Sequence, residues 1–345
     1  MTMKKPDDSR SSKREAILEA ARAIRSGRLV VFPTETVYGL GADAFDADAV
    51  AGIFAAKRRP ADNPLIVHVA DLEDLERVTR HASSVARDLF ARFAPGPLTL
   101  VLPAHRDLAP AVTAGLSTVA VRFPAHSVAI ELLRACARPI AAPSANRSGE
   151  PSPTTVEMAR ASLGAAVGVY LDGGPCRVGL ESTVASVSDE AVTILRPGAV
   201  TADDIRAALS GVRVEYATVG ASEPSPSPGL RHRHYQPRAE VLAVEPLPGA
   251  EARVAGLARP VAVIGRHADV KALNSALGRG GESPEEHSWS AVREAADIGE
   301  YARNLYRWFV ELDTLGVKTI VAVMPPADGI GLALRDRLER ASGGN

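Results

Sequence analysis

The stretch LVVFPTETVYGLGAD, residues 29–43, contains a short apolar run followed at once by polar residues. LVVF reads as a buried strand, and Thr34, Glu35, Thr36 and Tyr38 come directly after it, before two closely spaced glycines. Hydroxyl groups and tight glycine turns at the end of a strand are typical of small-ligand recognition in α/β folds. Taken alone, the same residues also fit an ordinary turn with a helix cap.

Helices and strands alternate on both sides of this stretch. Before it, Ile17, Leu18, Ala21 and Ile24 recur at helical spacing. After it, the patterns predict strands in PLIVHV, LTLVLP and STVAVRFP, and helices in DADAVAGIFAAK, SSVARDLFARF, SVAIELLRACA, TTVEMARASL and TADDIRAAL. The late runs VGVYLDG, ESTVASVS and TILRPG follow one another without helices, so a mixed α/β sheet is predicted for residues 14–210.

The two ends of the chain differ from this first domain. Residues 1–13 are polar and have no apolar period, which predicts a disordered tail. A segment rich in Pro, Ser and Gly at 217–238 indicates a linker or lid, which we assign to 211–238. Beyond it, the strand-like runs AEVLAV, RPVAVIG and KTIVAVMP, a long amphipathic helix at 292–316 and a last helix in ALRDRLERAS predict a smaller, Rossmann-like α/β domain over 239–345.

Composition and charge exclude several classes of protein. The 345 residues exceed the roughly 100–200 usual for one domain. Lys and Arg number 40 against 41 Asp and Glu, so stable nucleic-acid binding is not expected. The two cysteines, Cys136 and Cys176, form no CxxC pair, and no metal site is predicted from them. Without a secretory signal or an apolar run of about 20 residues, a cytoplasmic protein with no membrane contact is expected.

Charged residues interrupt the apolar patterns of the first domain. Lys57, Arg58 and Arg59 lie at a predicted helix end, where they fit either a solvated cluster or a grip on a polyphosphate. His68 interrupts the strand LIVHV, and a lone strand histidine is more often a core or surface residue than a ligand. Arg122 interrupts STVAVRFP, and a buried guanidinium needs an anion, which either the protein or a ligand carboxylate can supply.

Four further polar residues complete the candidate set. Ser144 and Asn146 lie in a loop bounded by prolines, and Ser182 and Arg196 lie in strand-like runs further along. Together with the cations, these residues could hold phosphates and a carboxylate. No competing catalytic signature occurs, because the chain has no P-loop, no HExxH and no GxSxG, and GIGLAL lacks the last glycine of a dinucleotide-binding turn.

Read together, the segments resemble the YrdC-like family of L-threonylcarbamoyladenylate synthases. Seven pieces occur in the family's order: PTETVYGLG, KRRPADNPLIVHV, PGPLTLVL, STVAVRFP, APSANRSGEPSPTT, ESTVAS and ILRPG. HYQP and the extra C-terminal domain resemble the longer, two-domain branch, in which the linker folds back over the site and contributes a tyrosine, here Tyr235. The resemblance implies a YrdC-like twisted mixed sheet around a concave cavity.

Carried over residue by residue, the resemblance implies two binding sets and a catalytic pair. Threonine would be held by Thr36, His68, Arg122, Ala142 and Ser182. ATP would be held by Arg59, Asn63, Thr118 (or its neighbour Ser117), Ser144, Asn146, Ser152, Arg196 and Tyr235. In these sets Arg122 would pair with the threonine carboxylate, and Ala142 would offer backbone groups only. Lys57 and Arg59, the family's KxR pair, would neutralise the phosphates.

The resemblance also implies a reaction and its partners. L-Threonine, bicarbonate or CO2, and ATP with Mg²⁺ would give threonylcarbamoyl-AMP and pyrophosphate. The product would pass to a tRNA threonylcarbamoyl transferase that makes N6-threonylcarbamoyladenosine. An alternative is a non-catalytic RNA- or ribosome-binding module of the same fold. The related carbamoyl-transfer domain of hydrogenase maturation expects cysteine-rich zinc motifs, which a chain with two cysteines lacks.

Overall fold

Two sheets define two domains in the computed structural model, which describes residues 7–217, 235–247, 250–254, 256–277 and 289–343. The helices of the N-terminal domain are α1 (Asp7–Arg25), α2 (Ala47–Lys57), α3 (Leu72–Val78), α4 (Ser84–Phe93), α5 (Pro110–Thr113), α6 (Ser127–Cys136), α7 (Val156–Leu163) and α8 (Ala202–Ala208). Its strands are β1 (Val30–Phe32), β2 (Gly39–Asp43), β3 (Ile66–His68), β4 (Leu98–Pro103), β5 (Thr118–Arg122), β6 (Ile140–Ala141), β7 (Val169–Tyr170), β8 (Thr183–Val187), β9 (Ala191–Arg196) and β10 (Arg213–Tyr216).

The ten strands form one mixed sheet in the order β10-β9-β8-β4-β5-β3-β6-β2-β1-β7. Parallel pairs, such as β3 with β5 and β4 with β8, alternate with antiparallel pairs, such as β4 with β5 and β8 with β9. The predicted mixed sheet is therefore confirmed.

The two faces of this sheet carry different side chains. Val67, Leu100 and Val121 belong to the main apolar core, in which residues of α2, α3, α4 and α8 also take part. Because side chains alternate along a strand, their neighbours His68, Thr99 and Arg122 point to the opposite face. On that face, Ile66, Val101, Ala120 and Val184 form a small apolar cluster near these polar residues. Ile140, which pairs with His68, belongs to a larger apolar cluster with residues of α1 and α6, so the polar row lies beside this packed region.

Two boundaries of the N-terminal domain differ from the sequence-based prediction. Helix α1 begins at Asp7, inside the segment predicted as a disordered tail. A polar stretch can extend a helix whose later turns are packed, as those of Ile17 and Ile24 are here. Strand β10 lies inside the predicted linker and pairs in parallel with β9 from Arg213 to Tyr216. The rest of the predicted linker up to Tyr235, residues 218–234, lies outside the described residues.

The C-terminal domain is a parallel sheet with helices. Its strands are β11 (Glu240–Val244), β12 (Val261–Arg266), β13 (Ala291–Ala295) and β14 (Thr319–Val323), in the order β11-β14-β12-β13. Its helices are α9 (Ala250–Val254), α10 (His267–Leu277), α11 (Ile298–Thr314) and α12 (Ile330–Ala341). All three pairings are parallel, which agrees with the predicted Rossmann-like arrangement and with the buried, valine-rich strands.

The predicted long helix at 292–316 is wrong over its first residues. Residues 291–295 form β13, which pairs with β12 at the sheet edge. The helix α11 begins only at Ile298, where the Asp297 side chain accepts a hydrogen bond from the Glu300 backbone nitrogen. This acidic cap followed by Glu three positions later is the start signal that the helical period concealed.

The two domains share one apolar cluster. Val37 and Leu180 of the N-terminal domain pack in the same core as Tyr301, Tyr306 and Phe309 of α11. A cluster that takes residues from both domains fixes the loops that carry Val37 and Leu180 against α11. Among the described residues, no helix has both the length and the hydropathy that crossing a membrane requires.

Candidate active site

A row of polar side chains crosses the open face of the large sheet. Arg122 of β5 pairs directly with His68 of β3 and with Thr99 of β4. Val184 of β8 pairs with Thr99 on one side and with Arg196 of β9 on the other. Three strand spacings separate β5 from β9, which places the backbones of the two arginines roughly 14 Å apart. The row can therefore contact both ends of an extended ligand.

A cavity of about 70 Å³ lies over this row. All five residues of the predicted threonine set line it, namely Thr36, His68, Arg122, Ala142 and Ser182. Six residues of the predicted ATP set also line it, namely Arg59, Ser144, Asn146, Ser152, Arg196 and Tyr235. Typical ligand pockets hold roughly 300–1,000 Å³, so a ligand of nucleotide size requires side chains of this site to move.

Lys57 does not line the cavity, unlike its predicted partner Arg59. Its ammonium group donates to the Ser144 carbonyl at 2.5 Å and to the Asn146 carbonyl, and the side chain is buried. Burial, and then the charge of Arg59, hold the pKa of Lys57 well below its ordinary value. Two main-chain carbonyls hold its ammonium group here, and the contact of Lys57 with phosphates stays a prediction.

Asn63 and Thr118 also lie outside the cavity lining. Asn63 is buried, and its carbonyl accepts a hydrogen bond of 3.3 Å from Arg59 Nε. Thr118 begins β5 and shares a strand face with Ala120 and Arg122, because side chains alternate. Four residues of extended chain put it roughly 13 Å from Arg122, along the open face of the sheet. Asn63 is therefore next to the site through its contact with Arg59, whereas Thr118 lies further along the sheet, and neither residue lines the cavity.

Arg122 already has an anion, and that anion is Glu35. Arg122 Nη2 lies 2.8 Å from Glu35 Oε1, and both side chains are at most 4% exposed. Arg122 Nη1 donates to Thr36 Oγ1 at 2.7 Å, and Nε donates to the Gly96 carbonyl at 3.3 Å. Glu35 was not among the candidate site residues, although it lies between Thr34 and Thr36 in the opening motif. The buried charge of Arg122 thus does not by itself require a ligand.

His68 is a neutral side chain in this site. Burial, and then the charge of Arg122, lower its pKa to about 3. Its Nδ1 atom is buried and has no hydrogen-bond partner within the described part of the chain. Its ring meets the edge of Phe32 with centroids 5.8 Å apart. His68 can therefore offer one uncharged hydrogen-bonding atom to a ligand.

Arg59 and Arg196 bring further positive charge to the cavity. Burial is the main cause that lowers the pKa of Arg59 to about 10. Because this value is still well above 7, the guanidinium stays protonated at neutral pH. Arg59 Nη2 donates to the Pro64 carbonyl at 3.0 Å. Arg196 Nη2 contacts the Ser182 carbonyl at 3.0 Å and Ser182 Oγ at 3.3 Å. Two cations therefore border the same cavity, as an anionic ligand such as a phosphate requires.

The proline-bounded loop is tied to the start of β2. Backbone hydrogen bonds join Leu40 to the Pro143 carbonyl at 2.9 Å and Tyr38 to the Pro153 carbonyl at 2.8 Å. The Asn146 amide donates to the carbonyls of its own loop at Arg147 and Glu150. The predicted residues Ser144, Asn146 and Ser152 are consequently held next to the opening motif.

Ser152 and Ser182 each have a buried polar partner. Ser152 Oγ donates to Glu181 Oε1 at 2.6 Å, and Ser182 Oγ lies 2.7 Å from Thr99 Oγ1. Glu181 and Thr99 were both missed by the sequence reasoning. Each stands next to a recognised residue, either in the chain or across the sheet, but only the folded structure makes that proximity visible.

A second, larger cavity of about 770 Å³ lies elsewhere on this domain, between α3, α4 and α6. Leu75, Phe90 and Phe123 are among its lining residues, and none of the predicted site residues lines it. The smaller cavity is therefore the candidate site, because the convergent buried cations and hydroxyls lie there. Within the described residues, no group of three or more His, Cys, Asp or Glu side chains could hold a metal ion.

Family models match both domains. Residues 22–198 match the Sua5, YciO and YrdC model, which is described as telomere recombination. Residues 200–343 match the model of the C-terminal domain of threonylcarbamoyl-AMP synthase.

Similar proteins and structures span nearly the whole chain. The threonylcarbamoyl-AMP synthases of Pyrococcus abyssi and Bacillus subtilis are each 41% identical to it, over 94% and 98% of this chain and 93% and 96% of theirs. The crystal structure of P. abyssi Sua5 complexed with L-threonine is 37% identical, has a TM-score of 0.81, and covers 96% of this chain and 95% of its own. A double alanine variant of the same P. abyssi protein has a TM-score of 0.83 at 38% identity, covering 96% of this chain and 94% of its own.

Proposed function

We propose that this chain, which belongs to the Sua5/YrdC family of threonylcarbamoyl-AMP synthases, condenses L-threonine, bicarbonate or CO2, and ATP. The products are threonylcarbamoyl-AMP and pyrophosphate, which makes the enzyme a nucleotidyltransferase. The observation that carries this proposal is one cavity lined by a paired arginine, Arg122, and by two further arginines, Arg59 and Arg196.

The threonine end of the site is assigned to the Arg122 side of the row. The guanidinium of Arg122 and the hydroxyl of Thr36, which are joined at 2.7 Å, would receive the amino acid carboxylate. The uncharged Nδ1 of His68 and the hydroxyl of Ser182 are available to the rest of the amino acid. The similar P. abyssi structure was solved with L-threonine, which supports this substrate.

The nucleotide end is assigned to Arg59, Arg196 and the loop that carries Ser144 and Ser152. All of them border the cavity, and Arg196 lies roughly three strand spacings from Arg122, so a phosphate chain beside Arg196 would point toward the bound amino acid. Lys57 would act indirectly, because its ammonium group donates to the Ser144 and Asn146 carbonyls and so fixes the position of this loop.

The proposed reaction needs alignment more than covalent help. The threonine amine takes up bicarbonate with loss of water to give a carbamate, and a carbamate oxygen then attacks the α-phosphorus of ATP and displaces pyrophosphate. The chain's cations would spread the negative charge that builds up on the phosphates. Mg²⁺ would enter with ATP and be held chiefly by the phosphates.

The same proposal gives the enzyme its place in the cell. It would act in the cytoplasm and hand the unstable adenylate to a transferase that modifies tRNA. The alternative of a non-catalytic RNA-binding module requires a different use of the same cavity. The convergence of buried, partnered arginines in a small hollow favours a small anionic ligand over an RNA surface.

The test is an incubation of the full chain with ATP, Mg²⁺, bicarbonate and each amino acid in turn. We expect pyrophosphate release that depends on both L-threonine and bicarbonate, with an adenylate of the matching mass in mass spectrometry. ATP turnover that ignores threonine, or no turnover together with tight RNA binding, would contradict the proposal.

A further inference from the structure

Two residues of the C-terminal domain reach Glu181, which lines the cavity of the candidate site. Arg337 of α12 donates from Nε to Glu181 Oε2 at 3.0 Å. The hydroxyl of Tyr306 on α11 donates to Glu181 Oε2 at 3.0 Å and lies 3.3 Å from Oε1. On its other side, the same carboxylate accepts the 2.6 Å hydrogen bond from Ser152. One carboxylate thus connects the second domain with a residue of the nucleotide set.

This cluster is largely buried. Arg337 is 0% exposed and the Glu181 side chain is 10% exposed, so their charges are poorly screened by water. Asp336 also contacts Arg337, through a hydrogen bond of 2.6 Å from Nη1. Burial alone would raise the pKa of Glu181, but the charges of Arg337 and Arg196 hold it below its ordinary value. Glu181 is therefore ionised at neutral pH and accepts from Ser152 as a carboxylate.

The loop that contains Glu181 is also pressed against α11. A Cβ atom at Gly179 would lie 2.4 Å from the Arg303 backbone Cα, so only glycine allows this approach. The backbone nitrogen of Gly179 donates to the Thr36 carbonyl at 3.2 Å. The second domain thus touches a loop that is joined to residues of both substrate sets.

We propose that Arg337 and Tyr306 are positioning residues for the nucleotide half of the site, because they hold Glu181 where it orients Ser152. This inference rests on the proposed function. It gives the C-terminal domain a part in ATP binding without any contact between that domain's two residues and the cavity. The threonine half depends on Arg122 and Thr36, which do not touch the cluster, and it should be little affected.

The test compares three variants of the full chain. Arg337→Met removes the buried cation, and Tyr306→Phe removes a single hydroxyl and keeps the ring. Arg335→Met is the matched control, since Arg335 lies on the same helix but pairs with Glu245 away from the site. We expect the KM for ATP to rise about tenfold in Arg337→Met and less in Tyr306→Phe, with the KM for threonine within about twofold of the wild type.

A fourth comparison separates positioning from general damage. If Arg337 acts through Ser152, adding Arg337→Met to Ser152→Ala should not raise the KM for ATP further. The inference would be overturned if the rise in the KM for ATP in that double variant were the product of the rises in the two single variants. Equal changes of the KM for ATP in Arg335→Met and Arg337→Met would overturn it too. Should Arg337→Met fail to fold, an unchanged KM for ATP in the milder Tyr306→Phe variant would do the same. A wild-type chain without threonine-dependent pyrophosphate release would instead reject the proposed function.

Discussion

Arg122 and Glu35 are a buried ion pair, and this changes how the threonine site can be tested. Their closest atoms are 2.8 Å apart. Removing one partner of such a pair costs about 3–5 kcal/mol, because the other charge stays buried without compensation. A variant that lacks only Arg122 would therefore lose activity partly through stability, whatever its role in recognition.

We predict that the double variant Arg122→Met with Glu35→Gln folds but binds threonine more weakly. Both charges are removed together, so no uncompensated charge remains in the core. The KM for threonine should rise by about tenfold or more, while the KM for ATP changes little. Steady-state kinetics with each substrate varied in turn measure the two constants.

The single variant Glu35→Gln is the control, because it keeps the guanidinium. It should be less stable than the double variant in urea unfolding and should retain more threonine binding. Equal effects of the double variant on both KM values would contradict the assignment of Arg122 to the carboxylate.

At the scale of elements, the loop of residues 178–182 links the opening motif to α11. Its backbone donates to the Glu35 and Thr36 carbonyls at 2.8 and 3.2 Å. Leu180 is fully buried among residues of the C-terminal domain. Gly179 adopts a φ of +82°, a left-handed conformation that favours glycine. The close approach of loop and helix therefore depends on one residue without a side chain.

We predict that Gly179→Ala loosens this contact and lowers activity. The new methyl group would meet the backbone of Arg303, in addition to the strain of about 1–2 kcal/mol that a side chain meets at positive φ. Gly174→Ala is the matched control, since its φ is +78° and no atom lies within 4 Å of an added Cβ. Urea unfolding and the threonine-dependent release of pyrophosphate measure both variants.

The control Gly174→Ala should lose only the stability that corresponds to the strain of a side chain at positive φ, and it should keep its activity. Equal losses in the two variants would mean that the contact between Gly179 and α11 contributes nothing. Strand β13 shows a related limit of sequence reasoning, because VREA at 292–295 fits a helical period and becomes a strand only through its pairing with β12.

At the scale of the whole molecule, the two domains are joined by apolar contacts and by a buried ion pair. Val37 and Leu180 pack among aromatic residues of α11, and Glu181 pairs with Arg337. Val37 adjoins Thr36 of the threonine set, and Glu181 accepts a hydrogen bond from Ser152 of the nucleotide set. The relative position of the domains is thus tied to the geometry of the site.

We predict that the pair between Glu181 and Arg337 makes stability depend on pH in acid. The folded-state pKa of Glu181 is held below its ordinary value, so the stability it contributes is present above about pH 4.3 and is lost as pH falls through the folded pKa. In Arg337→Met the cation is absent, and burial should raise the pKa of Glu181. The stability difference between wild type and variant should be large at pH 7 and shrink toward pH 4.

Urea unfolding from pH 7 down to pH 3.5 measures this difference. The charged groups around Glu181 are Arg337 and Asp336 from α12 and Arg196 from β9, with the hydroxyls of Tyr306 and Tyr235 beside them. Arg335→Met is again the control, because its partner Glu245 has a side chain 44% exposed. A difference that stays constant with pH in Arg337→Met would count against a coupled ion pair.

Local patterns in the chain were enough to predict the mixed sheet, the second α/β domain and most of the cavity lining. A strand, its polar ending and a proline-bounded loop are each encoded by neighbouring residues, so Thr36, His68, Arg122 and Ser144 could be named before any coordinates. The family motifs added Ala142, Ser152 and Tyr235, which no spacing would have selected.

Contacts between distant parts of the chain were decided only by the tertiary structure. Three of these contacts join residues that are 29–156 positions apart in the chain. They are the pair of Arg122 with Glu35, the carbonyls that hold Lys57, and the link from Arg337 through Glu181 to Ser152. A sequence shows which side chains carry charge, but the partner of a buried charge depends on how strands and domains pack. The amino-acid sequence therefore determined the chemistry that is present, and the packing decided which groups remain available to a ligand.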